Sequence, residues 1–481
     1  MNKNNKCLQM NRKRSNIVFF ILMISSFSGT FFSSCKERSK EGMILFTQVP
    51  GDLQDINYIT GNSWRYIADS RIVALNPNEQ GESLKVLTEG FFSACSPEIS
   101  YDGKFMLFAA QKNQNDIWQI WEMNLNNLKV RKITSSNKNC IDPAYLPGGR
   151  VVFSKLSTHN TANKEHSLFT CNINGSDIKQ ITFSPNVNFA STVLHDGRIL
   201  TISKQLYPDQ RNGILMVLRP DGTKEELFYK GLKGSNILSR AYETKNGKII
   251  FIESDINNEG RANLISIDYN RPEHSRIDLS TNIVGDFHTI SPMKGGKLLV
   301  SYRTSDDHRY ALYEFDHVNN VLGNPIYKNT SYNAIEAVVV EKKERPKNIP
   351  SEVDMNFKTG LMLCQDINFS YNQNNTSSTS KAVRMEVMGI DTTLGIVDVE
   401  KDGSVYLKII ADTPFQLQTL DEAGKVVSGP SSWIYLRPNE RRGCVGCHQG
   451  NERVPENRQP LSVLKAPVEI PMHFKKIVEN R

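Results

Sequence analysis

The sequence predicts an all-β protein: a six-bladed β-propeller followed by a small β-sandwich-like domain that carries a cysteine-containing loop. A turn that contains glycine and ends in a basic residue recurs before a short apolar strand, about every 48 residues. Each period has room for about four strands, which is the size of a propeller blade. After residue 354 a different series of turn-separated strands begins and predicts the second domain. The recurrent glycines are Gly103, Gly149, Gly197, Gly247 and Gly296.

The propeller is expected to cover residues 43–340, because one blade buries both of its faces only when it stacks against its neighbours. The first blade begins before the first marked turn, with strands at Met43–Gln48, Arg71–Asn76 and Leu84–Leu87. Ala334–Val340 has no new turn before it, so we expect this strand to return and complete the first blade. Seven blades remain the alternative, since residues 49–92 are irregular.

Residues 1–34 have the pattern of a lipoprotein signal peptide. Basic residues up to Arg14 precede the apolar run Ile17–Phe27, which is too short to span a membrane. The sequence Phe32-Ser33-Ser34-Cys35 resembles a lipobox, so Cys35 is the expected lipidation site, and an ordinary cleaved signal is the alternative. Residues 35–42 form a charged tether. We therefore expect an exported protein, lipid-anchored to a membrane on its periplasmic or cell-surface face.

The charge of the chain gives no reason to expect nucleic acid as a partner. The formal net charge is +7, but five of these charges lie within the signal, which leaves +2 for the rest. A nucleic-acid-binding surface normally shows as a strong basic excess on the folded part of the chain.

The second half of the chain divides into a linker, a β-domain and a tail. Residues 341–354 read as a linker, whose basic run we expect to be solvated. Residues 355–468 are the β-domain, and residues 469–481 are a basic tail. The strands of the β-domain are expected at Leu361–Phe369, Ala382–Met388, Leu394–Val399, Ser404–Ile410 and Phe415–Leu420.

The motif that carries chemistry is Cys444-Val445-Gly446-Cys447-His448. Two thiols at this spacing, with a histidine directly after, are the attachment pattern of a c-type haem. The cysteines Cys444 and Cys447 reach the two vinyl groups of one porphyrin, and His448 is delivered to the iron from the same turn. Haem c is therefore the first cofactor prediction.

Two other readings of the motif stay open. Zinc is the alternative cofactor, since Cys364, Cys444, Cys447 and His448 would make a Cys₃His site that pins the loop to the β-domain. Alternatively, Cys444 and Cys447 form a simple disulfide. Asp366 either caps a turn or assists such a site. Trp433 and Tyr435 either pack in the core or pack on a porphyrin edge.

The β-domain resembles a known family through a series of motifs. They are Gly360–Asp366, Asp402–Tyr406, Ala411–Pro414 and Ser432–Gly443, the last directly before the CxxCH. Together with Ser96–Lys104 and Asp142–Tyr145, which resemble the blade signature of TolB-type propellers, they identify a hydrazine synthase alpha subunit-like family. The resemblance implies a c-type haem on the CxxCH. It also implies zinc associated with His448 and with an early cysteine, which Cys364 matches.

The resemblance does not imply the family's whole activity here. In the family a tyrosine shortly after the motif serves the iron, whereas Gln449–Glu452 contains none. No nucleophile–base motif is visible either, so the sequence leaves open whether the chain is an enzyme. Histidines scattered over the propeller, including His166, His195 and His288, are expected to be solvated in loops.

Two functions follow from these observations. The first is an electron-transfer or redox-associated haem lipoprotein whose propeller binds a protein or redox partner. The second is a partner-binding scaffold lipoprotein with a structural zinc site.

Overall fold

The computed structural model describes residues 40–54, 56–57, 59–77, 84–157, 165–254, 261–369, 381–446 and 457–472. The predicted signal, Cys35, Cys447 and His448 lie outside these residues. Within them the fold is built from strands and two short 3-10 turns, Pro272–His274 and Leu461–Leu464. No helix among the described residues is long and apolar enough to cross a membrane. The prediction of an all-β fold is confirmed.

The first 24 strands form the propeller, and one strand begins at the end of each of the five predicted turns. They are β1 Ile44–Pro50, β2 Arg71–Leu75, β3 Lys85–Val86, β4 Ser93–Ile99, β5 Phe105–Gln111, β6 Gln119–Asn124, β7 Val130–Lys132, β8 Cys140–Leu146, β9 Arg150–Ser157, β10 Glu165–Asn172, β11 Lys179–Gln180, β12 Asn186–Val193, β13 Ile199–Gln205, β14 Ile214–Leu218, β15 Glu226–Tyr229, β16 Tyr242–Glu243, β17 Lys248–Ser254, β18 Ala262–Asp268, β19 Ile277–Asp278, β20 Asp286–Pro292, β21 Leu298–Arg303, β22 Ala311–Asp316, β23 Val321–Tyr327 and β24 Tyr332–Val339.

The pairing of the described residues groups these strands into six four-stranded antiparallel units, which we call blades 1 to 6. Blade 1 has the order β24-β1-β2-β3, and blades 2, 5 and 6 are β4–β7, β16–β19 and β20–β23. Blades 3 (β8–β11) and 4 (β12–β15) share one sheet, because His166 and Val187 pair across them. The return of the last strand is confirmed, since β24 pairs with β1 from Tyr332 opposite Pro50 to Val339 opposite Ile44.

The linker lies along the propeller turns. The amide of Lys343 donates to the Tyr101 carbonyl over 3.0 Å, and that of Lys347 donates to the His195 carbonyl over 3.1 Å. Gly197, with φ of +93°, allows this approach because a Cβ there would lie 2.1 Å from the Lys347 carbonyl oxygen. The glycine turns thus reverse the strands and also receive the linker that leads to the second domain.

A buried charge network lies at the propeller axis. The segment between β1 and β2 places Arg65 there, 3.4 Å from Glu336 and 3.6 Å from Asp142. Arg240 joins it, with ion pairs of 2.7 Å to Asp142 and 2.8 Å to Glu98. The side chain of Asp142 is 0% exposed. Buried charges of this kind need partners, and here the blades supply them to one another.

The β-domain is a sandwich of two four-stranded sheets around one apolar core. One sheet has the order β31-β25-β28-β32 and the other β27-β26-β29-β30. Met362 and Leu407 from the first sheet pack with Val387 and Leu417 from the second. Its strands are β25 Thr359–Cys364, β26 Arg384–Met388, β27 Thr393–Asp398, β28 Val405–Ile410, β29 Gln416–Leu420, β30 Val426–Ser428, β31 Arg441–Cys444 and β32 Val468–Ile470.

Two predicted boundaries in this domain are wrong. Strand β25 ends at Cys364 rather than at Phe369, because a turn follows it directly. The tail does not begin at Glu469, which lies inside β32 and pairs in parallel with Lys408 of β28. The sandwich therefore extends to Ile470.

Candidate functional site: the cysteine edge of the β-domain

The cysteine edge is the end of the β25–β31 pair, where Cys364 and Cys444 lie side by side. The two strands run parallel, and their register pairs Leu361 with Arg441 and Cys364 with Cys444. Strand β31 is the edge strand of its sheet. Neighbouring strands are about 4.8 Å apart, and directly paired residues place their side chains on the same face. The fold therefore brings together two thiols that are 80 positions apart in the sequence.

The two cysteines differ in exposure. Cys364 is 3% exposed and belongs to the sandwich core with Met362 and Val405. Cys444 is half-buried and packs against the border of that core. A group bound at this edge would thus have one thiol accessible from solvent and one on its protein side.

The backbone continues the strand pairing past the cysteines. The amide of Gln365 donates to the Cys444 carbonyl over 2.9 Å, and that of Asp366 donates to the Val445 carbonyl over 3.2 Å. Gly446 then passes so close to the β25 turn that a Cβ there would lie 2.2 Å from the Phe369 carbonyl oxygen. The glycine of the CxxCH is therefore required by close packing, and the chain leaves this contact toward Cys447 and His448.

The carboxylate of Asp366 caps the turn after β25. Its Oδ1 accepts the amide of Asn368 over 2.9 Å. This is the short-range bond of an Asx turn, so the turn-capping interpretation is the one the contacts support.

Of the predicted site residues, the structure therefore locates Cys364 and Cys444 and brings them together. Cys447, His448 and the lipidation candidate Cys35 lie outside the described residues. Among the part of the chain that is described, no group of three or more His, Cys, Asp or Glu side chains is placed to hold a metal ion. Cys364 and Cys444 are thus the described part of any larger donor set.

Trp433 and Tyr435 face the propeller, so the idea that they pack on a porphyrin edge is wrong. The indole of Trp433 donates to the Tyr207 carbonyl over 2.6 Å. The Tyr435 hydroxyl, fully buried, lies 3.0 Å from the carbonyl oxygens of both Ile181 and Gly222. The alternation of this segment predicts that these side chains share a face, but the face is an interface with the propeller.

Arg437 and Glu440 extend this interface toward the cysteine edge. The Arg437 guanidinium donates to the Asp221 carbonyl over 3.1 Å and to Asp412 over 2.6 Å. The carboxylate of Glu440, 1% exposed, accepts the backbone amide of Lys224 over 2.9 Å and the side chain of Arg442 over 2.8 Å. The segment that leads into β31 is therefore anchored to the propeller.

One buried acid in this interface has an altered pKa. Burial raises the pKa of Glu225 to about 7, although the positive charge of Arg442 opposes the shift. Ser184 donates to its Oε2 over 3.2 Å, and its Oε1 has no hydrogen-bond partner within the described residues. The interface thus contains a carboxyl group that titrates near neutral pH.

The histidine prediction is wrong for His166 and His288, which are strand residues. His166 is buried in β10, 2.8 Å from the Tyr66 hydroxyl, and His288 lies in β20 beside Tyr310. Burial lowers the pKa of each to about 3, so both imidazoles are neutral.

The sequence prediction also missed Arg65, Arg240, Arg437 and Glu440. Their partners come from distant parts of the chain, and no local motif marks them. For Arg437 and Glu440 the sequence offered one indication, because the segment from Ser432 to Gly443 runs without a break into the CxxCH.

Comparison with known proteins finds relatives that are similar in sequence and in fold. The sequence model of the hydrazine synthase alpha subunit middle domain matches residues 360–449. The hydrazine synthase subunit alpha of Kuenenia stuttgartiensis is 24% identical over 541 residues, which cover 85% of this chain and 66% of the relative. This chain therefore spans just under two thirds of the relative's length.

The fold of one solved structure matches that of most of this chain. Kuenenia stuttgartiensis hydrazine synthase aligns with a TM-score of 0.76 at 22% identity, covering 88% of this chain and 71% of that chain. TolB from Acinetobacter baumannii gives a TM-score of 0.46 at 15% identity, covering 64% of this chain and 67% of that chain. The chain is thus hydrazine synthase alpha-like over most of its length, and residues 360–449 match the model of the hydrazine synthase alpha subunit middle domain.

Proposed function

We propose that this protein is an exported, lipid-anchored redox protein that carries a c-type haem on its β-domain. Cys444 and Cys447 attach the haem, His448 is an iron ligand, and Cys35 carries the lipid. The single observation that supports this most is the position of Cys444. It stands half-exposed at the end of an edge strand, immediately before the remainder of a CxxCH.

The residues at the cysteine edge fit such a group. Thioether attachment needs a cysteine that a porphyrin can reach from solvent, and the edge position of Cys444 meets this need. The strand pairing up to Val445 fixes the backbone on one side of the attachment point. When bound, haem c supplies one-electron transfer at a potential set by its axial ligands and burial.

The propeller and the N-terminal anchor complete the proposal. A lipid on Cys35 would hold the protein at a membrane, on its periplasmic or cell-surface face. The blades would bind a protein or redox partner there. Hydrazine synthesis is not part of the proposal, because residues 449–452 lack the tyrosine that the family resemblance leads one to expect.

A structural zinc site in a scaffold lipoprotein is the second candidate, and one observation favours it. Haem attachment has no use for a third cysteine, yet Cys364 is paired in register with Cys444. Two thiolates from adjacent strands, joined by Cys447 and His448, would complete a tetrahedral Cys₃His set. Zinc bound in this way would hold the loop against the sandwich.

One experiment separates the candidates. The full chain is expressed with its own signal, with and without the factors that mature c-type cytochromes, and the purified protein is examined by visible spectrum, intact mass and metal assay. The proposal expects a Soret band and a covalent haem that require those factors. A colourless protein with one zinc per chain would establish the second candidate instead.

The Cys364→Ser variant sharpens the result. It should retain covalent haem under the first candidate, whereas it should lose zinc under the second. The matched control is Cys171→Ser, since Cys171 is a buried cysteine of the propeller far from the motif in sequence.

A further inference from the structure

We infer that Glu440 is a positioning residue that fixes the Cys444 end of β31 from the propeller. This inference deepens the proposed function. Only its prediction about covalent haem rests on that function. The first step is the orientation of the segment before β31. Trp433, Tyr435 and Arg437 face the propeller, whereas Ile434 and Leu436 between them pack on the sandwich core.

The second step is the position of Glu440 at the junction of three elements. Its Oε1 accepts the amide of Lys224, on the propeller, and the guanidinium of Arg442, on β31. Its Oε2 accepts the amide of Arg437 over 2.8 Å. The carboxylate is 1% exposed, so each of these charge-assisted bonds is sheltered from water.

The third step connects Glu440 to the cysteine pair. The Glu440 carbonyl accepts the amide of Leu361 over 2.8 Å, which starts the β25–β31 pairing. Arg442 lies two residues before Cys444 and therefore on the same face of the strand. A slip of β31 by one residue would turn Cys444 to the opposite face from Cys364. The propeller, through Glu440, thus sets the register that pairs the two thiols.

The substitution Glu440→Gln tests this with almost no change in shape. Both carboxylate oxygens accept N–H donors, so the amide nitrogen of glutamine must face one of those donors. The matched control is Glu352→Gln. Glu352 also pairs with the propeller, at 3.1 Å from both Arg219 and Lys224, but its side chain is 39% exposed, and these ion pairs join it to the propeller rather than to β31.

Hydrogen exchange of the full chain measures how firmly the β25–β31 pairing is held. The amides of Gln365 and Asp366 report the end of the β25–β31 pairing, and the amide of Val383, which donates to Leu420, reports the other sheet. In Glu440→Gln we expect Gln365 and Asp366 to exchange about tenfold faster, with Val383 unchanged. Glu352→Gln should leave all three as in the parent protein.

An unchanged rate at Gln365 and Asp366 would overturn the inference, and so would an equal acceleration at Val383, which indicates general destabilisation. If Glu440→Gln does not fold, Arg442→Gln removes the two bonds that Arg442 donates to Glu440 and should give a smaller acceleration at the same two amides. In haem-loaded protein, Glu440→Gln should also lower the fraction of chains with covalent haem. If the parent protein carries no haem, the proposed function fails, but the exchange rates still decide the role of Glu440.

Discussion

The propeller axis and the cysteine edge of the β-domain differ in how their reactive groups are held. At the axis, Arg65 and Arg240 meet carboxylates from several blades, and Asp142 is fully buried. Arg65, Arg240 and Glu336 line a cavity of only about 30 Å³, which has room for little more than water. At the cysteine edge, Cys444 is half-exposed and ends an edge strand. Charge at the axis therefore stabilises the fold, whereas the edge has the access that an added group needs.

The largest expected effect tests the structural role of the axis. Arg240→Met should reduce the free energy of unfolding by about 3–5 kcal/mol, because it removes the 2.7 Å ion pair of the buried Asp142 and leaves Arg65, at 3.6 Å, to balance that carboxylate. The control Lys248→Met, in the same blade, removes an ion pair with Asp268 that is 35% and 45% exposed. That change should cost at most about 1 kcal/mol. Urea unfolding measures both, and equal losses would show that the axis network is not special.

The second expected effect is a pH dependence from the interface between the two regions. Burial raises the pKa of Glu225 to about 7 from 4.5, so the folded protein holds this proton more tightly than the unfolded chain does. Stability from this group is therefore greatest below about pH 4.5 and is lost as the pH rises to about 7, by on the order of 3 kcal/mol.

The variant Glu225→Gln separates the contribution of this carboxyl group from the other pH-dependent contributions to stability. Unfolding midpoints of the parent protein and the variant, measured from pH 5 to pH 8, should diverge as the pH rises, with the variant the more stable at pH 8. Parallel curves would mean that Glu225 does not titrate in this range.

A smaller effect measures the hydrogen bonding of the interface. Tyr435→Phe removes the hydroxyl that lies between the carbonyls of Ile181 and Gly222 and should cost about 1–2 kcal/mol. Tyr406→Phe, on a half-buried position of β28, is the matched control and should cost less. If both variants unfold alike, the Tyr435 hydroxyl adds no net stability to the interface.

Local sequence signals predicted the repeats well and the site only in part. Turns such as Asp102-Gly103 determine where strands begin because glycine allows the left-handed backbone locally. The closing strand β24 was also predictable, since it lacks a turn of its own. By contrast, β31 has only four residues, Arg-Arg-Gly-Cys, with no alternation, and it pairs in parallel with a strand about 80 positions earlier.

The same limit explains Tyr435 and His166. Alternation shows that Trp433 and Tyr435 share a face, but not that this face meets the propeller. The sequence around a single histidine does not show whether it is buried. His166 contacts Tyr66, which lies 100 positions away, and only the fold brings the two together. Long-range pairing, rather than residue type, determines these sites.

The most direct test of the account is the mass and visible spectrum of the full chain exported in cells that mature c-type cytochromes. We expect one covalently bound haem and a Soret band, both lost in Cys444→Ser and Cys447→Ser and both retained in Cys364→Ser. A colourless parent protein whose mass is that of the processed, lipidated polypeptide alone would contradict the account.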